Sequence, residues 1–209
     1  MPLSNRQKPL YSADVWAALN AAVDAQPKLK SNCDAYSQLG LIAWTDDPAR
    51  LPGSPVPSAG AIYFQRVFVD VANVAAGNIW MSVVTAGVTV ANAFAGVYDP
   101  SSGLLLGLSA NMATAMQTAQ PVEAALTPQF TGALSGWNLN YELYLAFVVG
   151  SAGTMPVICG GRTNGGNLGQ TGDFRTQVKS GSAVTLPPTM PTGLTLPASM
   201  AQPFLAIGR

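Results

Sequence analysis

From residue 61 onward, short apolar segments alternate with turn residues at the spacing of β-strands. AIYFQRVFVD (61–70) is rich in β-branched and aromatic side chains, and NIWMSVVTAGVTV (78–90), NAFAGVYD (92–99), LLLGLSA (104–110) and PVEAALT (121–127) follow closely. YELYLAFVVG (141–150) and MPVICG (155–160) complete the series. Side chains of these types suit a pleated, half-buried surface. Asp99-Pro100-Ser101-Ser102-Gly103 supplies turn chemistry between two of the segments. Regularly spaced short strands predict an all-β sandwich or barrel. Helix-length apolar segments between the strands are missing, which disfavours a βαβ sheet.

The flanks read differently. Ser12 is suited to cap a helix in which Val15, Trp16, Leu19 and Val23 recur at helical spacing until Pro27, which predicts one amphipathic helix at about 13–25. A helix of three to four turns is marginal alone in water, so its apolar stripe needs a surface to dock on. DPARLPGSPVPSAG (47–60), with four prolines and two glycines, reads as a linker. At the other end, GGRTNGGNLGQTG (160–172) has six glycines in thirteen residues, and LPPTMPTGLTLPASMAQPF (186–204) has five prolines. Leu186, Met190, Leu194, Leu196, Met200, Phe204 and Ile207 punctuate that end with apolar anchors, which a disordered linker lacks. The expected division is an N-terminal arm (1–50), a β body (51–161) and a Gly/Pro-rich C-terminal arm (162–209). The segment 186–209 is expected to lie extended in a groove of a neighbouring copy.

Charge changes the picture more than overall composition does. Lys+Arg and Asp+Glu number 10 each, only 10% of the chain, against roughly 25% in average soluble proteins. Zero net charge removes any global attraction to nucleic acid or to an anionic membrane. A surface so poor in charge fits one that sits against other subunits, because stable interfaces are depleted in charge. No Lys or Arg occurs from Val67 to Gly161, where Asp70, Asp99, Glu123 and Glu142 lie, whereas Arg162, Arg175, Lys179 and Arg209 outnumber Asp173 beyond it. Such a basic tail is suited to pair with an acidic body, in the same copy or the next.

Candidate chemistry is sparse. The chain has no histidine, which excludes His-based general-base catalysis, Ser-His-Asp and Cys-His nucleophiles and His-containing zinc sites. Cys33 and Cys159 stand far apart in no C-x-x-C arrangement, and a buried, inert thiol is the expected state of Cys159. The glycine-rich 160–172 segment lacks G-K-[ST] and G-x-G-x-x-G and reads as a flexible loop. Asp46-Asp47, Asp99, Glu123 and Glu142 offer acids, but no spacing brings two carboxylates together for glycoside chemistry. Clustered D-x-D ligands for calcium are absent. The expectation is no catalytic residue, no metal and no cofactor. Tyr98 and Trp137 flank predicted loops, where an exposed ring stacks on a sugar face, and are the candidate glycan contacts; core packing is the plainer role for each. MPLSNRQKPLYSADVW lacks the apolar core of a signal peptide. The charge-free run Val71–Tyr98 is interrupted by Asn73, Asn78, Asn92 and three glycines, so it predicts strands and turns and no membrane helix.

The order of GVYDPSSGLLLGLSA, PVEAALT and YELYLAFVVGSAG, with the terminal LAIGR, resembles small jelly-roll-like modules in virion proteins of tailed bacteriophages, of minor tail, tail-fibre or head-decoration type. The resemblance covers roughly residues 60–160. It implies a jelly-roll-like antiparallel β-sandwich and a non-enzymatic structural role. It also implies self-association, for instance as a trimer, and partners among other virion proteins. Location in the virion after synthesis in the host cytoplasm follows from the same likeness. The alternative class is a carbohydrate- or receptor-binding module that recognises a host-surface glycan. No functional residue carries over, because these modules have no catalytic motif to match.

Overall fold

The computed structural model describes residues 40–45, 55–71, 74–160, 176–195 and 203–209. The helix expected at 13–25, Cys33, Asp46, Asp47 and most of the glycine-rich segment lie outside them. Among the described residues ten strands occur: β1 (Leu41–Trp44), β2 (Ile62–Phe68), β3 (Asn78–Thr85), β4 (Asn92–Tyr98), β5 (Leu105–Ser109), β6 (Pro121–Pro128), β7 (Glu142–Ser151), β8 (Val157–Ile158), β9 (Thr176–Lys179) and β10 (Ala206–Gly208). One 3-10 turn, Ala115–Gln117, is the helical element among the described residues. The chain is mainly β, and β2 to β8 fall on the seven segments expected from the sequence. The short strands β1, β9 and β10 were not expected.

Every strand pair is antiparallel, in the order β1-β10-β3-β6-β5-β4-β7-β2-β9, with β8 also beside β3. The turning point is β6. Its first part pairs with β3 (Ile79↔Ala124, Ser82↔Pro121), and its last residues pair with β5 (Ser109↔Leu126, Gly107↔Pro128). Prolines at both ends of β6 have no N–H to donate, so each sits where a ladder can stop. The sheet curls so that β1 comes up to the segment after β2, where the Asp70 N–H donates to the Ile42 carbonyl at 2.9 Å. Enclosed by this curl is one core, including Ile79 and Met81 of β3, Val97 of β4, Leu143 and Phe147 of β7, and Ile207 of β10.

β7 shows why a second core is needed. Its inward residues Leu143, Leu145, Phe147 and Val149 are 0% exposed, yet its outward residues Tyr144, Ala146 and Val148 are apolar and buried too. An unbroken apolar run of this kind demands cover on both faces. Outside, Ile62, Phe64, Tyr98, Leu105, Tyr144, Ala146 and Val148 form one cluster with Leu186, joined by Ala183, Met190 and Leu194. Residues 183–195 form a strap over β2, β7 and β4. It is tied at 2.7–3.0 Å by Ala183 N–H to Gly60 O, Leu105 N–H to Pro188 O, Met190 N–H to Gly103 O and Thr195 N–H to Val178 O. Gly96 of β4 makes room: a Cβ there would stand 2.8 Å from Leu186 Cδ1 and 2.7 Å from Gly107 O.

The described residues of 186–209, expected in a groove of a neighbouring copy, lie against this chain's own sheet. The strap covers its own sheet, and β10 lies inside the sheet between β1 and β3. The physical reason is that the outer face of β7 needs an apolar cover, and the chain's own anchors reach it.

Candidate functional site

The two rings singled out from the sequence are buried. Tyr98 is 0% exposed; its ring meets Phe64 edge-on at 5.4 Å, and its hydroxyl donates to Pro187 O of the strap at 2.6 Å. Burial raises its pKa far above the ordinary tyrosine value. Trp137 is 5% exposed, belongs to the inner core and stacks on Tyr141 with centroids 6.5 Å apart and planes 7° from parallel. Neither ring presents a face to a ligand in the single chain. Cys159 is a free thiol, half-buried just after β8, and burial raises its pKa.

The sheet instead builds a polar rim at one end. The β4–β5 connection is the Asp-Pro-Ser-Ser-Gly turn: Gly103 N–H donates to Asp99 O, Asp99 N–H to Leu104 O, and Gly103 takes φ +69°. The β6–β7 loop reaches the same end. Asn140 N–H donates to Val69 O and Val69 N–H to Tyr141 O, with Asn140 at φ +63°, a left-handed conformation that asparagine tolerates. Between turn and loop lies an open cleft of about 330 Å³ lined by Asp99, Pro100, Ser101, Tyr141 and Glu142.

Its carboxylates are already engaged. Asp99 accepts from the hydroxyls of Ser101 (2.8 Å) and Ser102 (2.7 Å), the Ser101 N–H (3.0 Å) and the Tyr141 hydroxyl (3.2 Å). Glu142 Oε2 pairs with Arg66 Nη2 at 2.7 Å, and the Arg66 guanidinium lies 5.2 Å over the Phe68 ring. Phe68 and Glu142 are cross-strand neighbours on β2 and β7. Sequence reasoning saw no route to bring two carboxylates together; the fold brings Asp99 and Glu142 to one cleft. It also missed the Arg66–Phe68–Glu142 group. A signal existed, since Arg66 is the last cation before Arg162 and the acids between them have few other partners.

Burial opposes the charge on Asp99, but the bonds from Ser102, Ser101 and Tyr141 outweigh it and hold the carboxyl below its usual value. Tyr141 is pushed up, by burial first and then by the Asp99 charge and hydrogen bond. Asp99 thus stays ionised near neutrality and is a poor proton donor there. Because its folded pKa is depressed, the stabilisation it gives is present above about 3.9, the unfolded carboxylate value, and is lost as pH falls through the folded one. Asp99→Asn is therefore expected to lower stability by about 1 kcal/mol at pH 7 and by less near pH 3. Thermal denaturation of both proteins at the two pH values measures this. Identical melting of wild type and variant at pH 7 would show that the turn does not depend on the charge.

Among the described residues no group of three or more His, Cys, Asp or Glu side chains could hold a metal ion, and no helix is long and apolar enough to cross a membrane. The charged residues in that set are Arg66, Asp70, Asp99, Glu123, Glu142, Lys179 and Arg209. Large apolar residues such as Val56, Val84, Val88, Phe130 and Leu139 are about half exposed. No family model, no curated protein and no solved structure matches the chain.

Proposed function

We propose that this chain is a structural component of a bacteriophage particle, of minor tail or head-decoration type, that assembles with copies of itself and with other virion proteins. The observation that carries the reading is the near absence of charge on the β body. Soluble monomers typically place charge on roughly 25–35% of their surface positions, and surfaces with much less are suited to permanent contacts. The exposed valines and leucines point the same way.

The finer architecture in this proposal is a jelly roll. Its support is the strand path, in which eight strands divide into β1-β10-β3-β6 and β5-β4-β7-β2. Successive strands cross between the two sets, except for the β4–β5 hairpin. Read as two layers broken between β6 and β5, that path gives two Greek keys, the order found in viral capsid and lectin jelly rolls. Fold alone does not fix a role, so the weight stays on the surface. The role proposed is non-enzymatic, in keeping with an Asp99 held ionised by its turn and a Glu142 paired with Arg66.

Size-exclusion chromatography with light scattering tests the reading. At micromolar concentration the expected mass is a multiple of 21.6 kDa. A clean monomer at that concentration overturns it.

A further inference from the structure

We propose that the rim formed by Phe68, Arg66, Glu142 and the Asp99–Ser101 turn binds a neutral sugar residue. This site differs from the Tyr98 and Trp137 pair expected from the sequence, and it does not require the particle reading.

Phe68 is 51% exposed at the end of β2, although the chain has an apolar strap with which it covers the same outer face further along. The ring is nonetheless held. Arg66 lies over it at 5.2 Å, and Arg66 is fixed in turn by Glu142 at 2.7 Å. A cation stacked on an aromatic face is attracted by the ring quadrupole, so one side of Phe68 is occupied by the protein and its orientation is set. What remains is an ordered apolar surface facing solvent, the kind on which the C–H face of a sugar ring stacks. Holding it in place beforehand lowers the ordering cost of binding.

Polar groups stand beside it at the spacing of one strand. Glu142 neighbours Phe68 across the β2–β7 ladder and lines the cleft together with Asp99, Ser101 and Tyr141. Arg66 takes Glu142 Oε2, and among the described residues Oε1 has no hydrogen-bond donor. Asp99 is ionised, and the Ser101 hydroxyl donates to it, leaving the Ser101 oxygen as an acceptor. The cleft is therefore rich in acceptors, which match the hydroxyl donors of a sugar; hydrogen bonds to a charged acceptor are the stronger kind. Its volume of about 330 Å³ is at the lower end of small-molecule sites, enough for one ring with its neighbours in solvent. Among the described residues, two carboxylates against one guanidinium leave the site net negative. That disfavours phosphate, sulfate and sialic acid, and selects a neutral ligand.

A glycan array displaying neutral and sialylated oligosaccharides, followed by saturation-transfer NMR with the methyl glycoside of any terminal sugar bound, tests the proposal on the full chain. Binding to at least one neutral glycan is expected, falling tenfold or more in Phe68→Ala and in Glu142→Gln. Val88→Ala, which removes a comparably exposed apolar side chain from a different loop, is expected to bind as wild type. Phe68 projects into solvent, so Phe68→Ala is expected to keep the wild-type near-ultraviolet spectrum and report on binding even if Glu142→Gln is unstable. Absence of binding to every neutral glycan, binding confined to sialylated glycans, or affinity unchanged in a folded Phe68→Ala overturns the proposal. Light scattering on the same samples reports assembly separately, so failure of one reading is not mistaken for failure of the other.

Discussion

A chain ending at residue 202 is expected to lose cooperative unfolding altogether. The seven residues removed look like a short tail, but Ala206–Gly208 form β10, which pairs on both sides: with β1 through Trp44↔Ala206 and with β3 through Trp80↔Ala206 and Ile79↔Ile207. Leu205, Ala206 and Ile207 are 0% exposed. Burial of each large apolar side chain contributes about 1.5–3 kcal/mol, and the cavity left behind adds to the loss. The backbone groups of β1 and β3 that faced β10 lose their partners, as does the buried Gln65 Nε2, which donates to Pro203 O. Each buried polar group stranded in this way costs about 1–3 kcal/mol. The sum reaches the 5–15 kcal/mol that a domain has in total. Near-ultraviolet circular dichroism and a thermal melt are the measurements. A truncated protein with the wild-type spectrum and a sigmoidal melt within about 5 °C of the full chain would show that β10 is an accessory strand.

That expectation reverses what the sequence suggested for the same residues, and the reason is instructive. β2 to β8 were legible because most are long enough for composition and turn residues to speak, as in YELYLAFVVG followed by its glycine. β10 is three residues, Ala-Ile-Gly, and β1 is four, Leu-Ile-Ala-Trp, beside a polar segment. No periodicity can emerge from so few positions; their partners, distant in sequence, create them. The anchors Leu186, Met190 and Leu194 were legible as groove-seeking, but an apolar anchor does not state whose groove it fills. The evidence for an intramolecular groove was in β7, whose apolar run already required two covered faces.

The site was less legible than the fold. Tyr98 ends a strand before a turn, a position that looks exposed, but strand alternation puts it on the face with Phe94 that the strap covers. Trp137 sits in a loop and still packs into the inner core, because the β6–β7 loop folds under the sheet and donates Leu134 and Trp137 to it. Loop membership therefore did not imply exposure for either ring. Phe68 drew no reading of its own from the sequence: it closes an apolar strand segment, yet it lies at the rim beyond the strap. What places it there is the length of the strap, which no local pattern encodes.

The strap also sets the second large expectation: Leu186→Ala should destabilise the body by about 2–4 kcal/mol. Leu186 is 3% exposed and seats against Gly96, where only a glycine lets β4 and the strap come so close. Removing three carbons leaves a space that the strap can close only by shifting, and its ties to Gly60, Gly103 and Leu105 oppose that shift. For a domain of this size, the loss corresponds to a fall in melting temperature of roughly 5–15 °C. Because the strap lacks long regular structure, the same change should expose 183–195 to proteolysis before the rest of the body unfolds, which limited digestion with mass spectrometry detects. Two results would count against this account. Unchanged melting together with unchanged protection would mean that the outer face of β7 does not depend on Leu186. A variant that melts normally but loses its oligomeric state would mean that in solution the strap serves a neighbouring copy, and the cover seen here on its own sheet would not be the working arrangement.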